Sequence, residues 1–204
     1  MHEHIELELA IRSERHAVLV GDGVPLEVKT VLDNSTGEFV FPVNAFSLDA
    51  RESILWLPEE RNNAMQILVE LNEIDGSNSE PADRWRIYHG EPTDNNWVSA
   101  SPQAVRFGSL VADGSDIELS NPLAATEPAL CKEFNADRER LGRLATAFDA
   151  RSQGDGLLVG VDPMGIDIRS RFDIVRLPFG ERVVEGAEAS SYIHNLLDEL
   201  AGRV

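Results

Sequence analysis

The sequence predicts an α+β protein, with an antiparallel β-barrel in the front part of the chain and a small helix/β-hairpin/helix domain behind it. Three observations carry that expectation. Residues 16 to 120 break into short apolar runs separated by turn residues, the pattern of many short strands. The long helical crossovers that parallel strands require are missing between those runs, so the pairing is expected to be antiparallel and to close on itself. From Asn135 onward, helical spacing gives way to two apolar runs around Pro163-Met164-Gly165 and then to helical spacing again.

Taken in order, the opening stretch EHIELELAIRSER fits two templates. Ile5, Leu7, Leu9 and Ile11 alternate as in a strand, while Ile5, Leu9 and Arg12 also permit a helix. HAVLVGDG reads as a strand and turn, PLEVKTVLDNSTGEFVFPV as two strands around Asp33 to Gly37, and ESILWLP as a further strand. RNNAMQILVELNEI places Ala64, Ile67, Leu68 and Leu71 at helical spacing, which predicts one helix laid on the sheet. GSNSEPAD reads as a polar loop, and RWRIYHG as a strand with Trp85, Ile87 and His89 on one face. Two more strands are expected, one around Ala104 to Ala112 closed by Asp113-Gly114 and one at IELS.

NPLAATEPA marks the expected join between domains at residues 1–122 and 123–204. Beyond it, FNADRERLGRLATAF puts Leu141, Leu144, Ala145 and Phe148 on one helical face, with Asn135 as N-cap and Asp137 in the first turn. The last helix, EASSYIHNLLDEL, carries the stripe Ala189, Tyr192, Ile193, Leu196, Leu197 and Leu200.

Composition narrows the function classes. A formal net charge of -18 disfavours nucleic-acid and anionic-membrane partners. Only Lys29 and Lys132 are lysines, so an anionic ligand would have to be held by a local arginine cluster acting against the overall field. The start MHEHIELELA is acidic where a secretion signal is basic and then apolar, and the chain is read as cytoplasmic. The lone Cys131 excludes an intramolecular disulfide and a paired-cysteine metal clamp, and no metal site is expected.

No phosphate-loop, dinucleotide, nucleophile-elbow or zinc-hydrolase motif is present. Two segments nevertheless carry ligand chemistry. Arg61, Asn62, Asn63 and Gln66 open the expected central helix, where free N–H groups and the positive dipole end favour phosphate. Arg84, Trp85, Arg86, Tyr88 and His89 make an aromatic and basic neighbourhood suited to a flat anion. Ordinary helix capping and a solvated strand end account for the same residues without a ligand.

The order of elements resembles the flavin-binding split-barrel proteins, the pyridoxamine-phosphate-oxidase-like superfamily, in which a segment S-x-K-x-x-Q-L contacts the flavin phosphate; RNNAMQIL is similar to it, with Asn63 at the lysine position. FNADRERLGRLATAF, VGVDPMGIDIR and VRLPFGERVVEGAEA are similar to the small domain appended to split barrels in haem-utilisation proteins and in the glutamyl-tRNA-reductase-binding protein. The resemblance implies a split barrel, a homodimer, and FMN as cofactor of an oxidoreductase. Lys29, Arg61, Asn63 and Gln66 would contact phosphate, and Arg84 and His89 the ring or substrate side. Trp56, Trp85 and Trp97 would suit the dimer seam or the core. Where that family has His-Met-Asn-x-Asp-His, this chain reads Glu133 to Arg138 without either histidine, so haem is the lesser expectation. A cofactor-free binding or regulatory module on the same fold is the alternative.

Overall fold

In the computed structural model of the protein the described residues are 2–44, 50, 52–61, 63–171 and 173–201; Asn62 and the side chains of His2, Glu3, Leu200 and Ala201 lie outside them. Two compact units are formed, residues 1–120 and residues 121–204. Among the described residues no helix is long and apolar enough to cross a membrane.

The first unit begins with helix α1, His2–Ser13, which resolves the ambiguity of the opening stretch. Leu7 and Ile11 are fully buried on one side of it, one helical turn apart. Arg12 is buried beside them, pairs with Glu8 at 2.8 Å, and donates to the Ser120 carbonyl at 3.0 Å. A buried guanidinium thus ties α1 to the end of its own unit.

The strands are β1 (His16–Gly21), β2 (Val24–Lys29), β3 (Val31–Leu32), β4 (Phe39–Val43), β5 (Ser53–Leu57), β6 (Met65–Ile74), β7 (Asn96–Phe107) and β8 (Leu110–Asp113). They form one 8-stranded sheet in the order β2-β1-β5-β6-β7-β4-β3, with β8 on β7. Every ladder is antiparallel. The sheet curls far enough that β2 and β4 come close without being ladder neighbours, giving a half-barrel where sequence periodicity suggested a closed one.

Two elements are exchanged relative to expectation. Residues 65–74, expected as the central helix, are strand β6, the longest partner of β7. Met65, Ile67 and Val69 are buried at alternate positions, while Leu68 faces outward, so apolar residues on both faces imitate a helical stripe. Residues 84–89, expected as a strand, belong to helix α2, Glu80–His89. Proline in its first turn, acids at Glu80 and Asp83, and Gly90 at φ 84 after its end are the ordinary start and stop signals. Ala82, Trp85 and Tyr88 are its buried residues at a spacing of one turn. The IELS stretch is not a strand; it follows a short 3-10 turn at Gly114–Asp116.

The second unit holds α3 (Glu127–Phe134), α4 (Arg138–Phe148), the strands β9 (Leu157–Asp162), β10 (Gly165–Arg169) and β11 (Ile174–Pro178), and α5 (Gly186–Ala201). The strands form a 3-stranded antiparallel sheet in the order β11-β10-β9, which contains the expected hairpin. One core gathers Leu141 and Leu144 of α4, Ile166 and Ile168 of β10, Leu177 of β11 and Ile193 of α5. Ala189, Ile193 and Leu197 of the expected stripe are buried, with Tyr192 and Leu196 packed at its margin. Phe148, the last residue of α4, is 53% exposed and so does not join the face on which it was placed.

Asn135 has a different task from the one expected. Asp137 caps α4, accepting from the Arg140 N–H at 3.0 Å. The Asn135 amide instead donates to the Leu158 carbonyl at 2.9 Å and accepts from the Leu158 N–H at 2.8 Å. Asn121 donates to the Val161 carbonyl at 2.9 Å, and Glu127 accepts from the Val161 N–H at 2.8 Å. Three side chains thereby imitate a neighbouring strand along the outer edge of β9, which seals that edge against pairing.

Candidate functional site

Register identifies an open face on the half-barrel. Ala17, Leu19, Leu55, Leu57, Met65 and Ile67 point to the buried side of the sheet. Their alternates, Val18, Val20, Ile54, Trp56, Gln66 and Leu68, point the other way and are half-buried or exposed. In β7 and β8 the same face carries Ala104, Arg106 and Val111, the last being 69% exposed. Helix α2 lies on β3 and β4, at the far end of the strand order from these positions.

One row across this face has ligand chemistry. Val18 pairs with Trp56, Trp56 with Gln66, Gln66 with Arg106, and Arg106 with Val111. An indole, a carboxamide and a guanidinium therefore stand side by side, spanning about 10 Å from first to third at ordinary strand spacing. Trp56 reaches the open face. Trp85 and Trp97 are core residues, packed edge to face at 5.5 Å, with the Trp85 indole N–H donating to the Lys29 carbonyl at 2.6 Å.

Lys29, Arg84 and His89 meet at a second place, the corner between α2 and the β2–β3 junction. Lys29 is exposed at the end of β2, opposite His16. Arg84 lies 5.2 Å over the Tyr88 ring and donates to the Tyr88 hydroxyl at 3.2 Å; Arg15 approaches the same ring at 5.6 Å. The His89 Nε2 is 3.2 Å from the Thr30 carbonyl oxygen, to which it donates. Burial lowers the His89 pKa from 6.5 to about 4; the Thr30 carbonyl works against the shift, and the charges of Lys29, His16 and Arg15 add to it. His89 is thus a neutral strut at this corner.

The sign of that shift gives a testable consequence. Between about pH 4 and 6.5 the unfolded chain takes up a proton that the folded site refuses, so the contribution of His89 is complete above 6.5 and declines as pH falls toward 4. The full difference corresponds to about 3 kcal/mol. His89→Gln is expected to flatten the stability–pH curve across that window in urea titrations. A curve parallel to that of the wild type would remove His89 from the account.

Arg61 and Asn63 lie together in the connection from β5 to β6, not at a helix N-terminus. They share a groove of about 330 Å³ with Ser13 and Glu14 at the end of α1 and with Leu57, Met65 and Phe107. Arg61 pairs with Glu59 at 2.8 Å, both being more than half exposed. Glu14 has a raised pKa because burial outweighs the attraction of Arg15, His16 and Arg61. Gln66 is separated from this pair, since it occupies the open face. The expected site residues therefore divide among three places: the row holding Gln66, the corner holding Lys29, Arg84 and His89, and the groove holding Arg61 and Asn63. Sequence reasoning passed over Arg106 and Glu14. Arg106 is signalled by its outward alternation with Val105, but Glu14 carries no comparable signal.

No protein-family profile matches the chain, and no curated protein matches it. Among solved structures, the chain is similar to Atu2129 from Agrobacterium tumefaciens str. C58, a protein of unknown function, with 18% identity, 96% of each chain covered and a TM-score of 0.72. It also matches a heme binding protein from Mycobacterium smegmatis with 14% identity, covering 98% of this chain and 97% of that one, at a TM-score of 0.42. The likeness to Atu2129 is one of fold: a curled antiparallel half-barrel followed by a small three-stranded sheet with helices.

Proposed function

We propose that the protein is a homodimeric split-barrel protein that binds a planar anionic small molecule on the open sheet face, with FMN as the preferred ligand. The observation that carries this reading is the Trp56–Gln66–Arg106 row on the outward side of the sheet, with Trp56 and Gln66 half-buried and Arg106 exposed. Trp56 offers a stacking surface, Gln66 hydrogen bonds to ring edges, and Arg106 a fork for phosphate two strands away. Bound FMN would supply redox chemistry, and these residues would hold and orient it, as in a flavin-dependent oxidoreductase.

The apolar part of this face is what a second copy would cover. Each chain carries -18, so two copies repel unless they meet where carboxylates are few. Val18, Val20, Ile54, Trp56, Leu68 and Ala104 supply the apolar area of this face, and acids, Glu27 beside Val18 and Asp113 beside Ala104, stand at the two ends of the rows.

Flavin fluorescence tests the ligand reading, because contact with an indole quenches it. FMN titrated into the protein is expected to lose emission saturably, Trp56→Phe to restore emission of the bound flavin, and Arg106→Ala to weaken binding about tenfold, the value of one charge-assisted hydrogen-bond pair. Unchanged binding in both variants would remove the row from the site. The second reading, a cofactor-free module, is favoured by one observation: the segment expected to cradle phosphate at a helix N-terminus is strand β6. A protein that ignores both FMN and haemin would support it.

A further inference from the structure

The groove at the end of α1 has a chemistry of its own. Its floor is apolar, made by Leu57, Met65 and Phe107, and Phe107 is 43% exposed. Glu14, half-buried at the end of α1, lines the groove together with Arg61 and Asn63, and Arg61 is near enough to act on the Glu14 carboxyl. About 330 Å³ suits a small ligand of about a dozen heavy atoms more readily than a dinucleotide.

The charges select among ligand classes. A simple anion entering the groove meets the Glu14 carboxyl, and a simple cation meets Arg61, with Arg15 and His16 close enough to act on Glu14 as well. A molecule bearing both charges satisfies both groups. Arg61 remains able to serve it, because its exposed pair with Glu59 is of the weak surface kind and occupies only part of a five-donor fork.

We infer that this groove binds a small zwitterion with an apolar body, of the aromatic amino-acid class: the ammonium group against Glu14, the carboxylate against Arg61 and Asn63, and the side chain over Leu57, Met65 and Phe107. The site is separate from the open face, since Leu57, Met65 and Phe107 alternate with Trp56, Gln66 and Arg106 along their strands. Its failure therefore leaves the flavin reading standing, and the reverse also holds.

Three probes test it by following the Met65 methyl resonance of the full chain: phenylalanine, phenylpropionate and phenethylamine. Phenylalanine is expected to bind saturably and at least about tenfold more tightly than either single-charge analogue. Glu14→Gln should weaken phenylalanine about tenfold while leaving phenylpropionate unweakened, and Arg61→Gln should weaken both. Arg61 is exposed, so its variant reports on the site even where a Glu14 variant unfolds. The inference is overturned if phenylalanine gives no saturable shift, if the three probes bind alike, or if folded Arg61→Gln binds phenylalanine as the wild type does.

Discussion

Replacing Arg176 by leucine is expected to destabilise the second unit by about 3–5 kcal/mol, the largest single-residue effect the structure supports. Arg176 on β11 makes a bidentate pair with Asp162, at 2.6 Å for each arm, and reaches Asp167 on β10 at 3.3 Å. The three side chains are 9%, 7% and 1% exposed, so the carboxylates would lose a charge-assisted partner without gaining water. Asp162 also accepts the Met164 N–H at 2.8 Å, which links this pair to the turn of the β9–β10 hairpin. Arg176→Lys keeps the charge but not the planar fork, and should cost less than the leucine variant. Chemical denaturation of the three proteins checks the order. Equal midpoints would show that the buried pair does not hold the sheet.

Asn135→Ala is expected to cost about 2–4 kcal/mol, because it removes two hydrogen bonds at once and leaves the Leu158 N–H and carbonyl without their side-chain partner. Leu158 is 1% exposed, so water is not a ready substitute. Asn135→Asp retains the acceptor and loses the donor, and should fall between alanine and wild type. The same substitution has a second readout. Hydrogen exchange at the Leu158 amide should accelerate in Asn135→Ala by more than at Ile166, on the central strand β10 opposite Val161, if the loss is local to the β9 edge. Uniform acceleration would indicate a general loss of stability instead.

These two results concern the part of the chain whose sequence was most legible. In α4 and α5 the polar and apolar residues separate by face, Phe148 excepted, and the Asp162-Pro163-Met164-Gly165 turn sits between two apolar runs. What spacing could not reveal was the use of Asn121, Glu127 and Asn135 as strand substitutes, because such contacts depend on tertiary placement and leave no periodic trace. In the first unit the antiparallel curled sheet is legible from its short runs and turns, but its incomplete closure is not, and β6 and α2 stand in each other's expected places. Leu68 and Leu71 on β6 blur a two-residue alternation into an apparent helical stripe. For α2, the alternation of Trp85, Ile87 and His89 masked the stronger signal of Pro81, Glu80 and Asp83 at a helix start, and Ile87 is in fact 51% exposed. That exchange moved the candidate site as well: a helix N-terminus at Arg61 would have pointed to phosphate, whereas a strand points to its outward row, where Gln66 stands beside Trp56 and Arg106.

The proposed homodimer puts the open face of the half-barrel under a second copy. Sedimentation equilibrium of the wild type beside Leu68→Glu tests this most directly, because Leu68 is 37% exposed at the centre of that face and a carboxylate there is tolerated by a monomer but not by a closed seam. The expected result is twice the chain mass for the wild type and the single-chain mass for a folded Leu68→Glu variant. A wild-type protein that sediments as one chain, or a variant that remains a dimer, would contradict it.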